Sequence, residues 1–374
     1  MHPLVSLYPS LTEMSSLSQR CIIDCFTQRQ DPIQNINLYD GNCIQALHYQ
    51  DQNLKVVFEL PYPCQVEPPR LMTQIKDEIE QLSDVAEVLF DIQFKPPASH
   101  QQQKIPSLRH VKHVIMVASG KGGVGKSTTA VNIALALEQE GAKVGLLDAD
   151  IYGPSMPILC QLVDHDIQVT PENHMKPAMQ YGLAVQSIGF LVKPEQAQIW
   201  RGPMASQTLL QLIQETSWPE LDYLIVDLPP GTGDIQLTLS QKLNLSGAII
   251  VTTPQDLATA DAEKGIVMFN RVHVPILGLV ENMSYHRCTQ CGHEEHIFGK
   301  EGGSSIAERY DVPILGYLPL HQSIRESADQ GCPIVVKDVY SDLSRTYREI
   351  AQKAVAHLTK HSDITNVSID LTEK

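Results

Sequence analysis

A glycine-rich segment at residues 120–127, with the sequence GKGGVGKS, has the spacing of a phosphate-binding loop. Backbone N–H groups of such a loop and of the helix that follows it converge on phosphate oxygens. The Lys126 ammonium would reach the β- and γ-phosphates, and the Ser127 hydroxyl would bind Mg²⁺. We therefore predict an ATP and Mg²⁺ site with nucleotide contacts from Gly120, Lys121, Gly122, Gly123, Val124, Gly125, Lys126, Ser127 and Thr128.

Three aspartates end apolar runs, where parallel strands would bring them to the same edge of a sheet. Asp148 and Asp150 end the segment KVGLLDAD, and Asp227 ends LDYLIVD. Carboxylates at this position beside a phosphate loop can arrange Mg²⁺ and the attacking water. We predict that Asp227 holds Mg²⁺, directly or through water. For Asp148 and Asp150 a helix cap or a turn is the alternative role.

A second group of residues that could do chemistry is the pair Cys288 and Cys291, spaced as CxxC. Two thiolates on one turn suit a metal ion or an iron–sulfur cluster, but a cluster needs two more ligands. A symmetric homodimer could supply them from a second copy of the same pair. Alternatively, His293 and His296 could complete a zinc site within one chain, although their spacing is tight. A redox dithiol and inert surface thiols are the remaining interpretations.

The elements that must position these residues form an α/β pattern. A strand at residues 114–117, a helix after the loop and further apolar strands predict a mostly parallel sheet with helices on both faces. The pattern of apolar and polar residues within residues 1–94 predicts a small α/β domain with two strands and two helices. Residues 95–110, polar and proline-bearing, are expected to be a linker. We assign residues 111–360 to the nucleotide-binding domain and 361–374 to a tail.

Composition narrows the class of function. The 374 residues carry a formal net charge of −15, which argues against a nucleic-acid or anionic-membrane surface. No apolar run approaches the ~18 residues of a membrane span, and the amino terminus does not resemble a signal peptide. Eight scattered cysteines are too few for a disulfide scaffold. We expect a cytoplasmic protein.

The loop and several other segments resemble a known family. Lys121 gives the loop the deviant Walker A form found in MinD, ParA and the nitrogenase iron protein. The segments DADIYGPSMP, WRGPM, DLPPGTGD, TTPQD, ENMS, CxxCG and HIFG are together similar to the Mrp/ApbC family of P-loop iron–sulfur cluster carriers, across about residues 105–355. The front module, in which Cys64 lies near a family cysteine, resembles the small domain that accompanies iron–sulfur assembly proteins.

This resemblance implies a function and roles for individual residues. Members of the family are homodimers that hold a labile 4Fe-4S cluster between two CxxC pairs and pass it to apo-proteins, using ATP binding and hydrolysis. Lys121 would contact phosphate across the dimer, and Asp150 would help to position the attacking water. The catalytic set would then be Lys121, Lys126, Asp150 and Asp227, with Asn282 on the adenine edge and Pro319 and Leu320 lining the base pocket.

Two other functions remain open at this point. A MinD- or ParA-like positioning ATPase shares the loop, although the tail SDITNVSIDLTEK has no basic amphipathic helix for membrane docking. A zinc-stabilised P-loop ATPase would use the same cysteines differently. Trp200 and Arg201 lie in a family signature to which we assign no chemistry.

Overall fold

The computed structural model describes residues 13–39, 43–66, 68, 70–99, 103–191, 202–288 and 290–362. The chain divides into two compact units, Met1–Pro97 and Ala98–Lys374. Among the described residues, no helix is long and apolar enough to cross a membrane.

The described residues of the smaller unit form a three-stranded sheet with two helices. The elements are α1 (Ser16–Thr27), β1 (Ile44–Gln50), β2 (Asn53–Leu60), α2 (Arg70–Ile79) and β3 (Glu87–Phe94). The central strand β2 pairs antiparallel with β1 and parallel with β3. Its alternate residues Leu54, Val56, Phe58 and Leu60 are fully buried, so one face of the sheet forms the core under the helices.

The strand β1 is absent from the sequence prediction, which gave this unit two strands. Its sequence, IQALHYQ, interrupts the apolar residues with glutamine and histidine, and the turn to β2 lacks the glycine that usually marks a hairpin. The turn residues Asp51 and Gln52 both adopt left-handed backbone conformations, with φ of 49° and 62°. This is the geometry of a tight hairpin turn, reached here without its usual sequence signal.

The described part of the larger unit is built on an eight-stranded sheet. The strands are β4 (Val111–Ala118), β5 (Val144–Asp148), β6 (Ala178–Gln180), β7 (Leu183–Ser187), β8 (Leu221–Asp227), β9 (Gly247–Thr252), β10 (Ile276–Glu281) and β13 (Ile314–Tyr317). Their order in the sheet is β13-β10-β9-β4-β8-β5-β7-β6, and neighbouring strands are parallel except for the antiparallel pair β6 and β7. A separate two-stranded hairpin consists of β11 (His286–Arg287) and β12 (Glu294–Glu295).

The helices of this unit cover the sheet on both sides. They are α3 (Lys126–Gln139), α4 (Met156–Leu159), α5 (Gly202–Gln214), α6 (Asp234–Lys242), α7 (Asp256–Arg271), α8 (Gly302–Tyr310), α9 (Gln322–Asp329), α10 (Ile334–Lys337) and α11 (Asp342–Ser362). The chain moves one way along the sheet from β4 to β5 and the other way from β8 to β9. Right-handed crossovers therefore place α3 and α6 on opposite faces. The predicted fold class, an α/β P-loop fold preceded by a small α/β unit, is confirmed.

Residues 103–110, assigned from the sequence to a linker spanning 95–110, instead pack on the larger unit. A 3₁₀ helix at Pro106–Leu108 buries Leu108. The Ser107 hydroxyl donates to the Ile213 carbonyl at 2.7 Å, and the Gln103 amide donates to the Asn244 carbonyl at 2.9 Å. The proline and polar residues thus belong to an ordered approach to β4. Trp200, Arg201 and residues 363–374 lie outside the described part of the chain.

Candidate nucleotide site and cysteine hairpin

The phosphate loop runs from the end of β4 to the first residue of α3, Lys126. Gly123 and Gly125 have φ of 84° and 82°, a region that favours glycine. Gly120 passes so close to α7 that a Cβ would lie 2.1 Å from the backbone carbonyl carbon of Asp261. A Cβ on Gly125 would lie 2.2 Å from the amide nitrogen of Asn282. The loop is therefore held against α7 and the end of β10 in a shape that only glycine permits.

The residues of the loop differ in exposure in a way that suits a phosphate cradle. Lys121, Gly122 and Gly123 are exposed, whereas Val124 is buried and anchors the loop. Ser127 and Thr128, in the first turn of α3, are half-buried. Backbone N–H groups on the exposed side, together with the amino end of α3, are available to an anion.

Lys126 lies at the centre of a buried cluster of polar groups. Its Nζ contacts Asp227 Oδ1 at 2.5 Å, Ser127 Oγ at 3.1 Å and Asp150 Oδ2 at 3.6 Å. The Lys126 side chain is 6% exposed and that of Asp227 is 0% exposed. The fold thus brings Asp150 and Asp227 from two other strand ends to the adjacent residues Lys126 and Ser127.

Two carboxylate oxygens of this cluster have unused hydrogen-bonding capacity. Asp150 Oδ1 and Asp227 Oδ2 are buried and have no hydrogen-bond partner among the described residues. Burial raises the pKa of both carboxyls, and the Lys126 ammonium opposes that shift. Unsatisfied buried carboxylate oxygens beside a hydroxyl are the donor set that Mg²⁺ binds. The residues present therefore fit a magnesium nucleotide.

Asp148 has a different role from Asp150, although the two are separated by one residue. Its Oδ2 accepts hydrogen bonds from Ser155 N, Met156 N and Ser187 Oγ at 2.9–3.0 Å. Its Oδ1 accepts from Asp150 N at 3.2 Å. Burial, followed by the charge of Asp227, raises the pKa of Asp148 to about 7. Asp148 therefore holds the segment after β5 in place, while Asp150 faces Lys126.

Asn282, which the resemblance assigns to the adenine edge, contacts the phosphate loop in this structure. Its Nδ2 donates to the Val124 carbonyl at 2.8 Å, and its Oδ1 accepts from Met283 N at 3.0 Å. The segment that contains Pro319 and Leu320 is joined to the residues that follow Asn282 by two backbone hydrogen bonds, from Ser284 N to Leu318 O and from Leu320 N to Tyr285 O. The three predicted base-site residues thus lie on two neighbouring segments, and Asn282 also supports the loop. The adenine contact stays a prediction.

The cysteine pair lies on the hairpin of β11 and β12. Cys288 N donates to His293 O, and Gly292 N donates to Cys288 O, each at 2.9 Å. Gly292 has φ of 72°, which closes the tight turn. Cys288 is half-buried and Cys291 is exposed. Backbone N–H groups of Cys291 and then Gln290 lower the pKa of the Cys288 thiol, so the turn stabilises a thiolate.

Among the described residues, the ring nitrogens of the hairpin's histidines do not lie with the two cysteine sulfurs in a group of three or more potential metal ligands. His296 Nδ1 lies 2.9 Å from the Ser284 carbonyl, and because a carbonyl only accepts, this nitrogen carries the proton. His293 is exposed. Within the described ranges, the one group of three or more Cys, His, Asp or Glu ligand atoms within 4.8 Å of one another lies elsewhere in the chain. The hairpin of one chain therefore presents two thiols without further ligands gathered around them.

Glu281, the last residue of β10, is a site residue that the sequence analysis missed. It is buried, and its carboxylate accepts from Ser284 Oγ at 2.5 Å and from Gly303 N, in the first turn of α8, at 2.6 Å. It therefore fixes the base of the cysteine hairpin next to Asn282. A carboxylate at the end of the otherwise apolar strand ILGLVE was the available signal.

Comparison with known proteins agrees with this geometry. A family model described as a NUBPL iron-transfer P-loop NTPase of the ParA group matches residues 110–355. An iron–sulfur cluster carrier protein of Salmonella typhimurium is 46% identical over 329 residues, which is 88% of this chain and 89% of the relative. The iron–sulfur cluster transfer protein NUBPL of Mus musculus is 50% identical over 250 residues, 66% of this chain and 78% of the relative.

A solved structure extends the similarity to three dimensions. The nucleotide-binding protein of Archaeoglobus fulgidus, in complex with ADP, is 36% identical with a TM-score of 0.56, covering 63% of this chain and 92% of that chain. The family match runs from the residue before β4 into α11 and includes the phosphate loop and the cysteine hairpin. As the resemblance to Mrp and ApbC predicted, the chain belongs to the NUBPL iron-transfer family of P-loop NTPases.

Proposed function

We propose that this protein is an ATP-dependent carrier that holds a 4Fe-4S cluster between two copies of the chain and transfers it to apo-proteins. The observation that carries the proposal is the solvent-accessible pair Cys288 and Cys291, in which backbone N–H groups stabilise a thiolate. A 4Fe-4S cluster needs about four cysteine ligands, and each chain offers two on this hairpin. A two-fold axis beside the hairpin would supply the other two. The similarity to an iron–sulfur cluster carrier protein of Salmonella typhimurium and to the cluster transfer protein of Mus musculus supports this cargo.

The nucleotide would bind where the cluster of Lys126, Asp150 and Asp227 meets the phosphate loop. Ser127 Oγ, with the free oxygens of Asp227 and Asp150, would hold Mg²⁺ directly or through water. When bound, Mg²⁺ neutralises the phosphate charge that develops during hydrolysis. Lys126, the residue with which the loop enters α3, would exchange its contacts with Asp227 and Asp150 for contacts with the phosphates.

We further propose that hydrolysis depends on the dimer and is coupled to the grip on the cluster. Lys121 is exposed, so its ammonium is free to reach a nucleotide in the partner subunit. The Asn282 side chain contacts the phosphate loop, and Glu281 and Ser284 hold the base of the cysteine hairpin next to it. A shift of the loop on nucleotide binding would therefore act on the hairpin through the short segment from Glu281 to Ser284.

Cluster binding is tested by anaerobic reconstitution with iron and sulfide, followed by assay of both and by sedimentation. Wild type should bind about four irons and four sulfides per dimer, and Cys288→Ala/Cys291→Ala should bind neither. Cys332→Ala, a half-buried cysteine of the same unit, is the matched control and should behave as wild type. If the double variant binds as much cluster as wild type, or if stoichiometric zinc without sulfide is found, the proposed cargo is wrong.

The nucleotide part is tested separately by two lysine variants. Lys126→Ala should abolish Mg-ATP binding, because it removes the cation at the centre of the site. Lys121→Ala should bind ATP but lose turnover in the dimer, since it removes only the contact to the partner's nucleotide. Intact turnover in both variants would contradict the assignment of the loop.

A further inference from the structure

The smaller unit contains a cluster of metal-ligating side chains that is separate from the cysteine hairpin. Cys21 and Cys25 are four residues apart on α1 and therefore share one face of the helix. Glu78, near the end of α2, faces them, and the three ligand atoms lie within 4.8 Å of one another. Two sulfurs and one carboxylate from two packed helices thus converge on one point.

We propose that Cys21, Cys25 and Glu78 form a binding site for a single thiophilic divalent metal ion of the zinc class. Three atoms no more than 4.8 Å apart can share a centre about 2.8 Å from each, so small rotamer changes reach the ~2.0–2.3 Å of zinc bonds. The proposal does not depend on the function proposed for the cysteine hairpin, which lies in the other unit.

The surroundings of the cluster suit one divalent ion. Two thiolates and the Glu78 carboxylate would carry three negative charges. Arg29 already pairs with Glu78, so a divalent cation would bring the group to neutrality. Such balance matters because an unpaired charge at a partly buried site is costly.

The exposure of the three ligands leaves a route for the ion. Cys25 is buried, whereas Cys21 and Glu78 are half-buried and face solvent on one side. An ion could therefore enter past Glu78, and a water molecule or a ligand from another molecule could take the fourth tetrahedral position. Three protein ligands with an open position are typical of a site that exchanges its ion or acts on it, rather than of a closed structural site.

Without metal, Cys25 is held as a thiol. Burial, followed by the charges of Glu78 and Cys21, raises the pKa of Cys25 to about 12, with Arg29 opposing the shift. Binding would break two S–H bonds and form two metal–sulfur bonds, and the two protons would leave to solvent. Metal binding at this site should therefore release two protons per ion and protect both thiols from alkylation.

The test is a titration with Co²⁺ of the full chain carrying Cys288→Ser/Cys291→Ser, so that the hairpin cannot contribute. We expect one Co²⁺ per chain, with thiolate-to-cobalt charge-transfer absorption and the intense visible bands of a tetrahedral site, both displaced by Zn²⁺. Adding Cys21→Ser/Cys25→Ser should abolish these bands. Glu78→Gln should weaken Co²⁺ binding at least about tenfold.

Two controls distinguish loss of the site from loss of the fold. Cys64→Ser, which changes a buried cysteine of the same unit, should leave Co²⁺ binding unchanged. Circular dichroism of the metal-free variants checks that the smaller unit is folded. If the parent shows no thiolate-to-cobalt band, or if the Cys21→Ser/Cys25→Ser protein keeps it, the proposal is overturned.

Discussion

Lys126, the proposed phosphate ligand, also compensates the charge of two buried carboxylates, and its removal should therefore destabilise the protein in a pH-dependent way. In Lys126→Met, Asp227 would remain with a side chain that is 0% exposed and without its partner at 2.5 Å. Asp150, 3.6 Å from the same ammonium, would lose its counter-charge too. Breaking a buried pair by removing one partner costs about 3–5 kcal/mol, and we expect that loss of unfolding free energy at pH 8.

The loss should shrink as the pH falls. Burial already raises the pKa of Asp150 and Asp227, and without the lysine cation both should rise further. A carboxyl whose folded pKa lies above its unfolded value of about 4 favours folding in its protonated form. Stability is therefore lost as pH rises from the unfolded pKa through the folded pKa. At pH 5 Lys126→Met should be closer to wild type than at pH 8.

Urea unfolding of the nucleotide-free protein, followed by tryptophan fluorescence, measures this effect. Both tryptophans, Trp200 and Trp218, belong to the larger unit, so the signal reports that unit alone. The control is Lys264→Met, which removes an exposed lysine paired with Asp261 and should change stability by no more than about 0.5 kcal/mol.

A second change tests the cause directly. Lys126→Met/Asp227→Asn removes the fully buried one of the two unpaired carboxylates, leaves that of Asp150, and should regain part of the stability lost at pH 8. Three results would refute the reasoning: a loss as small as in the Lys264→Met control, an equal loss at pH 5 and pH 8, or no recovery in the double variant.

Three further predictions concern other parts of the site. Gly120→Ala should abolish nucleotide binding because its Cβ would meet the Asp261 carbonyl carbon at 2.1 Å, whereas Gly122→Ala, with its nearest contact at 3.9 Å, should bind; calorimetry with ADP compares them, and equal affinities would contradict the close packing. Asn282→Ala removes the hydrogen bond that the side-chain amide donates to the loop. Fluorescence titration should show nucleotide affinity about 5- to 30-fold lower, equivalent to ~1–2 kcal/mol, and an unchanged affinity would contradict this role. The Cys288 thiol should be alkylated with a pH midpoint below the ordinary 9.0, because N–H groups stabilise its thiolate; peptide mass spectrometry measures this, and a midpoint at or above 9.0 would count against the turn geometry.

Much of the site could be predicted because its information is local. The phosphate loop needs glycines at fixed spacing before a helix, and the apolar runs before Asp148, Asp227 and Asn282 mark the strands that end at the same edge of the sheet. The fold class followed from the same runs, because strands buried on both faces are continuously apolar. Local signals failed for strand β1, which mixes apolar with polar residues, and for the turn after it, which has no glycine. This strand is formed through its pairing with β2 and not through a local pattern.

The sequence by itself determined the P-loop class, the cysteine pair and the family, since each depends on residue types at fixed spacing. Only the tertiary structure separated the roles of Asp148 and Asp150, because three backbone N–H groups of the segment after β5 and the Ser187 hydroxyl at the end of β7 occupy the first, whereas the second faces Lys126. It also joined Asn282 to Val124 across 158 residues and gathered Cys21, Cys25 and Glu78 from two helices. Hydrogen bonds and ligand clusters depend on distances in space, and no spacing along the chain encodes those distances.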